Sequence, residues 1–297
     1  MLAKSFEVKD LGHLHFFLGI EVAYGSQGIY LSQRKYVLDL LAETGMMECR
    51  PAPTPIEANH RIMADSGDPV DKGQYQRLVG KLIYLSHTRP DIAYAVSIVS
   101  RYMHDPRSTQ LDAANRILRY LKGCPGKGIL FSNFGHLRIE GYTDADWAGC
   151  SDDRRSTSGY CIFVGGNLVS WRSKKQSVVA RSTAEAELRS MASGLCELMW
   201  LRLLLTELQM FKGEPLQLYC DNQATINIVN NPVQHDRTKH IEIDRHFIRE
   251  KLEEGTLQVN FVRSGDQLAD ILTKGVGIVS FMKICDKMGL INIFAPS

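Results

Sequence analysis

The sequence predicts an α+β protein: a mixed β-sheet flanked by helices, preceded by a smaller region of one hairpin and several helices. Three observations carry this. The first 122 residues hold a single hairpin signal followed by stretches with helical apolar spacing. A glycine- and proline-bearing break, "GCPGKG" at 123–128, then interrupts the pattern. Beyond it, strand-like stretches come first in a run and afterwards alternate with helical ones, the order of a mixed sheet with helical cover.

The elements follow in order. "HLHFFLGIEVAYGSQGIYLSQ" reads as two strands joined at Gly-Ser-Gln-Gly, a hairpin over 15–32. "RKYVLDLLAETGM" places Tyr36, Val37, Leu40 and Leu41 on one helical face and closes near Gly45. "CRPAPTPIEANHRI" contains three prolines and predicts an extended connection. Three amphipathic helices fit between about Lys72 and Lys122, in "GQYQRLVGKLIYLSH", "DIAYAVSIVSRYMH" and "STQLDAANRILRYLK". After the break, strands are expected at 128–133, 136–144, 158–164 and 167–172. A long helix over 183–209 carries Leu188, Met191, Leu195, Leu198, Leu201, Leu205 and Leu208 at spacings of three and four. The strand "LQLYC", a helix from Asn222, a helix in "IDRHFIREKLEE", the strand "LQVNFV" and a helix from Asp266 complete the chain.

Composition narrows the function classes. A chain of 297 residues is long enough for two domains with buried cores. A net charge of +2 gives no global field, so any nucleic-acid footprint has to be local. Seven cysteines without a CxxC pair read as reduced intracellular thiols, with neither a disulfide framework nor a zinc knuckle. "MLAKSFEVKDLG" lacks the apolar core of a signal peptide, and no run approaches a membrane span. No membrane partner and no small-molecule cofactor are expected.

The chemistry concentrates in acids. "YTDADWAGCSDDRRSTSGY" sets Asp144, Asp146, Asp152 and Asp153 beside a strand end, followed by paired arginines and hydroxyl residues. In the strand 136–144 the two-residue period puts Arg138, Glu140, Tyr142 and Asp144 on one face, and Asp146 joins them if the strand continues. Asp221 follows a strand where α/β sheets often build sites, although capping the next helix would explain it as well. Glu185 and Glu187, in "STAEAEL", flank the apolar stripe of the long helix, so periodicity does not choose between them. Both also suit a helix N-terminus electrostatically. Asp270 falls in the second turn of a helix starting at Ser264 and Gln267 in a capping-box pattern, opposite Leu268, Ile271 and Leu272. By itself it is an ordinary solvated acid. Asp65-Ser66-Gly67 matches the aspartic-protease tripeptide but sits in a polar stretch before Pro69, and reads as a turn.

Strand acid, helix glutamate, strand-end acid and late-helix acid is the order found in ribonuclease H-like nucleases. "GYTDADWAG", "DRRSTSGY", "SWRSKKQ", "STAEAE", "LYCDNQATI", "RTKHIEIDRHFIRE" and "DQLADILTK" together resemble the ribonuclease H domain of copia-type LTR retrotransposon Pol polyproteins. "FEVKDLGHLHFFLGIEV" and "LIYLSHTRPDIAYAVSIVSRYM" resemble the end of the reverse transcriptase of that family, and "GLINIFAPS" its C-terminus. The resemblance implies a ribonuclease H-like domain, a five-stranded mixed sheet flanked by helices, over 126–297. A thumb- and connection-like part of a reverse transcriptase would occupy 1–125.

It further implies Asp144, Glu187, Asp221 and Asp270 as catalytic metal ligands, with the family's register selecting Glu187 over Glu185. The cofactor would be Mg²⁺, two ions, with Mn²⁺ able to substitute, and Asp146 would be a neighbour of the ligands. Hard cations of this kind favour oxygen donors, which Asp and Glu supply. The substrate would be the RNA strand of an RNA–DNA hybrid. Arg154, Arg155, Ser156, Thr157, Arg172, Lys174 and Lys175 would form the local surface against its backbone, while Asp152 and Asp153 serve as turn acids. Further partners would be the rest of a Pol polyprotein. The location would be cytoplasmic, inside a virus-like particle where the full element is made, with the nucleus as alternative.

Two departures from the family pattern stand out. "FVRSGDQLAD" lacks the histidine loop that many such nucleases carry before the last acid, while His235, His240 and His246 lie upstream. The polymerase's Tyr-x-Asp-Asp motif and an integrase zinc motif are absent from these residues. The expectation is therefore a nuclease within a truncated Pol fragment that polymerises nothing, its alternative an idle hybrid-binding remnant of a decayed element. A chain starting near Gly126 is expected to retain cleavage with weaker hybrid binding.

Overall fold

Two five-stranded sheets organise the computed structural model, which describes residues 12–230 and 239–294. The first begins with β1 (Phe16–Phe17), β2 (Ile20–Gly25) and β3 (Gly28–Ser32), where the expected hairpin closes between Gly25 and Gly28. Helix α1 (Arg34–Glu43) buries Val37, Leu40 and Leu41. The proline-bearing stretch after it is extended and lies along a later helix, with Ala52 N–H donating to the Arg119 carbonyl at 3.1 Å.

Helices α2 (Lys72–Leu85), α3 (Pro90–Ser100) and α4 (Ser108–Gly123) stand where the apolar spacing predicts them. Asp71 caps α2 by accepting from Gln74 N–H at 2.6 Å, and Tyr75, Val79, Leu82 and Leu85 turn inward. Pro90 opens α3, where its missing N–H costs nothing.

Strand β4 (Lys127–Phe131) departs from expectation. It does not open the mixed sheet; it pairs antiparallel with β3 and with β10 (Leu290–Asn292), giving the order β1-β2-β3-β4-β10. Glycines explain the fit. A side chain at Gly28 would meet the Phe131 carbonyl oxygen at 1.9 Å, and one at Gly128 the Leu31 carbonyl oxygen at 2.1 Å. Helix α8 (Ile278–Lys287) returns the chain to this layer and sets Phe281 edge-on against Tyr120 at 5.6 Å. The chain on both sides of the expected 125/126 boundary thus hydrogen-bonds into one sheet.

The second sheet has the order β7-β6-β5-β8-β9. β5 (Ile139–Asp146), β6 (Thr157–Val164) and β7 (Asn167–Lys175) are antiparallel neighbours, while β8 (Leu216–Cys220) and β9 (Leu257–Phe261) run parallel to β5. The five-stranded mixed sheet expected from sequence is present. One face packs on α5 (Thr183–Glu207), α6 (Gln223–Asn230) and α7 (Lys239–Glu253), with Ile162, Leu188, Leu195, Leu198 and Leu218 at the centre of that core. The other face contributes Cys161, Phe163 and Leu168 to the core that also holds Leu82, Val99, Leu118 and Phe281. Trp171 on β7 donates to the Ser86 carbonyl at 3.0 Å, and Ser173 meets Ser97 at 3.1 Å.

This shared core argues against independence of the later residues. A chain beginning near Gly126 would expose Phe163, Leu168, Ile271 and Phe281, side chains that fill the common core. Its midpoint in a thermal scan should fall by about 10 °C or more against the full chain, or it should aggregate. An unchanged midpoint would contradict the shared-core account.

Candidate active site

β5 and β8 are adjacent and parallel, so their C-terminal ends lie side by side. Asp144 stands near the end of β5, and Asp221 follows β8 directly. The first turns of α5 cross above them and bring Glu187 into the same space. One carboxylate oxygen from each of Asp144, Glu187 and Asp221 lies within 4.8 Å of the other two. Asp144 and Glu187 are each 3% exposed, whereas Asp221 is half-buried and opens the cluster to solvent.

The two glutamates that periodicity left equivalent have different tasks. Glu185 accepts from Arg181 N–H at 2.6 Å and pairs with Arg189 at 2.6 Å, while its own N–H donates to the Ser182 cap at 3.2 Å. That is helix-start work. Glu187 faces the aspartates.

Asp270 arrives by a route that the sequence pattern misses. Instead of one helix from Asp266, the backbone makes two 3-10 turns, Ser264–Asp266 and Leu268–Leu272. Gln267 breaks between them in extended conformation, and its side chain accepts from Ala269 N–H at 3.1 Å and donates to the Thr143 carbonyl at 2.9 Å. This fastens the segment to β5, so Asp270 is half-buried beside Asp144 rather than solvated. Lys274 bridges the two acids, 2.8 Å from Asp270 Oδ1 and 3.4 Å from Asp144 Oδ2. Thr273 donates a hydroxyl to Asp144 Oδ2, and Ser190 Oγ donates to the Asp144 carbonyl at 2.7 Å.

Burial and mutual repulsion shift these acids. Burial, with Asp144 and Asp221 close by, raises Glu187 to about 9. Burial and Asp144 raise Asp270 to about 7 against the pull of Lys274. Asp146 is raised by burial, with Lys274 opposing and Asp144 adding to the shift. Lys274 is pulled down by burial but held above its ordinary value by Asp144 and Asp270. The donor set is all oxygen, strongly negative when ionised and open on the Asp221 side. Those properties fit a hard divalent cation.

The expected nucleic-acid residues separate. Arg154, Arg172 and Lys174 are exposed, and Arg155 is half-buried. Lys175 is half-buried and engaged by Asp153 at 2.7 Å. Arg172, Lys174 and Lys175 line a groove of about 570 Å³ between β7 and α5, with Arg189 on the opposite wall. Ser156 and Thr157 are not surface residues, and the expected backbone contact at these two positions is corrected. The Ser156 hydroxyl accepts from Ala148 N–H at 3.1 Å, and Thr157 accepts from Arg101 at 3.0 Å, because the loop they end folds back onto β5 and α3. Asp152 does more than turn the chain, accepting from Tyr102 at 2.9 Å and from Ala64 N–H at 3.0 Å.

His246 is exposed on α7, and His235 lies outside the described residues. Sequence reasoning missed Lys274, Arg101 and the reach of Gln267 to Thr143. For Lys274 a signal existed: a lysine four residues after Asp270.

Fold and geometry define a class, an α+β protein whose mixed sheet gathers buried carboxylates at the ends of two parallel strands. Residues 1–58 match the family described as reverse transcriptase (RNA-dependent DNA polymerase). Over 293 residues the chain is 45% identical to the retrovirus-related Pol polyprotein from transposon RE2 of Arabidopsis thaliana, covering 98% of this chain and 20% of that protein. It is 38% identical over 286 residues to the corresponding polyprotein from transposon TNT 1-94 of Nicotiana tabacum, covering 93% of this chain and 21% of that one. Among solved structures, RNase H1 from Halobacterium salinarum aligns over 46% of this chain and 94% of its own at 13% identity, with a TM-score of 0.33. The chain belongs to the copia-type retrotransposon Pol polyprotein family, and spans about a fifth of the length of the curated relatives it matches. No helix among the described residues is long and apolar enough to cross a membrane.

The raised acids set a pH dependence for the chain in chelator. A carboxyl whose folded pKa lies above its unfolded value favours folding while protonated. For Glu187 that contribution is fully present below about 4.5, and is lost as pH rises through about 9. Denaturant midpoints measured in chelator should therefore fall between neutral pH and pH 9, and Glu187→Gln should flatten the decline. A wild-type midpoint that rises over this range contradicts the buried cluster.

Proposed function

We propose that this chain is a ribonuclease H that hydrolyses the RNA strand of RNA–DNA hybrids endonucleolytically, with two divalent metal ions, Mg²⁺ or Mn²⁺. The observation that carries this reading is the convergence of Asp144, Glu187 and Asp221 within 4.8 Å, with Asp270 linked to Asp144 through Lys274. Membership in the Pol family supports it. Residues 126–297 supply the nuclease, and residues 1–125 correspond to the end of a reverse transcriptase without the polymerase carboxylates.

Asp144, Glu187, Asp221 and Asp270 would hold the ions. When bound, such a pair supplies charge stabilisation at the attacking and leaving oxygens of one phosphodiester. Burial keeps the carboxylates fixed, so little reorganisation accompanies binding. Arg172 and Lys174 border the groove, and with Arg154 and Arg155 they are placed to hold backbone phosphates, which positions the duplex without reading its sequence.

The test is hydrolysis of a labelled RNA strand in a hybrid, with and without Mg²⁺. Asp144→Asn and Glu187→Gln should each lower the rate about a hundredfold or more, while Glu185→Gln should change it by less than about threefold. Hybrid binding by the first two should persist and weaken steeply with salt, because phosphate contacts release counterions. Metal-dependent hydrolysis at equal rates in all three proteins would sink the assignment. Hybrid binding without hydrolysis by the wild type would favour an idle remnant.

A further inference from the structure

The four acids do not form one uniform bowl. Asp144, Glu187 and Asp221 face one another closely, with no lysine or arginine within ion-pair distance of Glu187 or Asp221 among the described residues. Asp144 and Asp270 face each other across the ammonium of Lys274. Asp144 belongs to both groups, as a ligand shared by two neighbouring cation positions would. One position is framed by three carboxylates; the other already holds a positive charge.

We propose that Lys274 is a built-in counter-cation occupying the second of the two metal positions, so that the site loads its ions in order. An ion enters the Asp144–Glu187–Asp221 position first, and the Asp144–Asp270 position opens only when the ammonium leaves. This rests on the metal reading proposed above. Lys274 is a positioning residue here, acting through Asp144 and Asp270.

The surroundings fit a side chain that is anchored yet able to withdraw. Its backbone is tied down: Lys274 N–H donates to the Asp270 carbonyl at 3.1 Å, and a side chain at the following Gly275 would meet the Glu57 carbonyl oxygen at 2.4 Å. Its side chain is 39% exposed, so solvent reaches the ammonium, whereas the side chains of Asp144 and Asp270 are 4% and 14% exposed. Lysine is a compact point charge on a flexible stem, suited to leaving a site that a rigid guanidinium fork would hold. Without that charge, two carboxylates facing each other in a buried position would have to bind a proton or repel. The lysine thus keeps the site assembled before metal arrives, and its displacement offsets part of the binding energy of the second ion.

Counting bound Mn²⁺ by electron paramagnetic resonance, on the full chain without nucleic acid, tests this. The wild type should bind one Mn²⁺ tightly and a second far more weakly. Lys274→Met should tighten the second site by roughly tenfold or more, a size typical of coupling between adjacent sites. Lys274→Arg, which keeps the charge, should bind the second ion no more tightly than the wild type.

Equal binding of two ions by the wild type and Lys274→Met overturns this inference and leaves the metal reading standing. No bound Mn²⁺ in either protein overturns both. Should Lys274→Met fail to fold, the wild type alone decides. Labelling of Lys274 by an amine-reactive reagent, read by peptide mass spectrometry, should rise several-fold as Mn²⁺ passes the first equivalent. A rate that stays flat through the whole titration overturns the proposal.

Discussion

Carboxylates repel one another, and they do so most where water is excluded. A fold that sets Asp144, Glu187 and Asp270 into its interior has to hold them there against that repulsion. β5 does so by being the central strand, paired along its whole length with β6 and over residues 140–142 with β8. Ser190 fixes the Asp144 carbonyl from α5, and Gln267 fixes the Thr143 carbonyl from the segment that carries Asp270. Each acid therefore sits on an element bonded to the same few residues of β5. Lys274 completes the arrangement with the charge that the backbone does not provide.

The same strand explains why the chain resists division. One face of its sheet is covered by α5, α6 and α7, the usual helical cover for a mixed sheet. The opposite face is covered by α3 from the first part of the chain and by the Leu268–Leu272 turn, within a core that α2, α4 and α8 also fill. Arg101, at the end of α3, reaches Thr157 beside the acids, and Tyr102 reaches Asp152 in the loop between β5 and β6. Packing behind the site and hydrogen bonding at its rim thus both come from residues before the glycine-rich break. Substitutions in that first part should be felt at the acids through β5, although none of its described residues belongs to the carboxylate cluster.

Much of this was legible in the sequence, for physical reasons. Apolar spacing located α1, α2 and α4 because each buries one stripe, and it located α3 although that helix is buried on most sides; two-residue alternation placed Asp144 on its strand. Other features lay beyond periodicity. Glu185 and Glu187 flank the same stripe, and only the contacts of Arg181 and Arg189 with Glu185 separate them; family register had to choose. Asp270 looked like a solvated helix acid because the break at Gln267 depends on a hydrogen bond to Thr143, 124 residues away. β4 looked like the first strand of the mixed sheet because strand pattern does not name its partner; close approach at Gly28 and Gly128 does. Ser156 and Thr157 followed two arginines and read as surface, yet the loop folds inward on Ala148 and Arg101.

On the reading proposed above, these acids form a metal-binding centre rather than a protonated, structural cluster. Anomalous scattering at the manganese edge, from crystals of the full chain grown with Mn²⁺, tests it most directly. An anomalous peak should appear within bonding distance of carboxylate oxygens of Asp144, Glu187 and Asp221. Crystals with no peak at these three residues, their carboxyl oxygens hydrogen-bonded to one another instead, would contradict it.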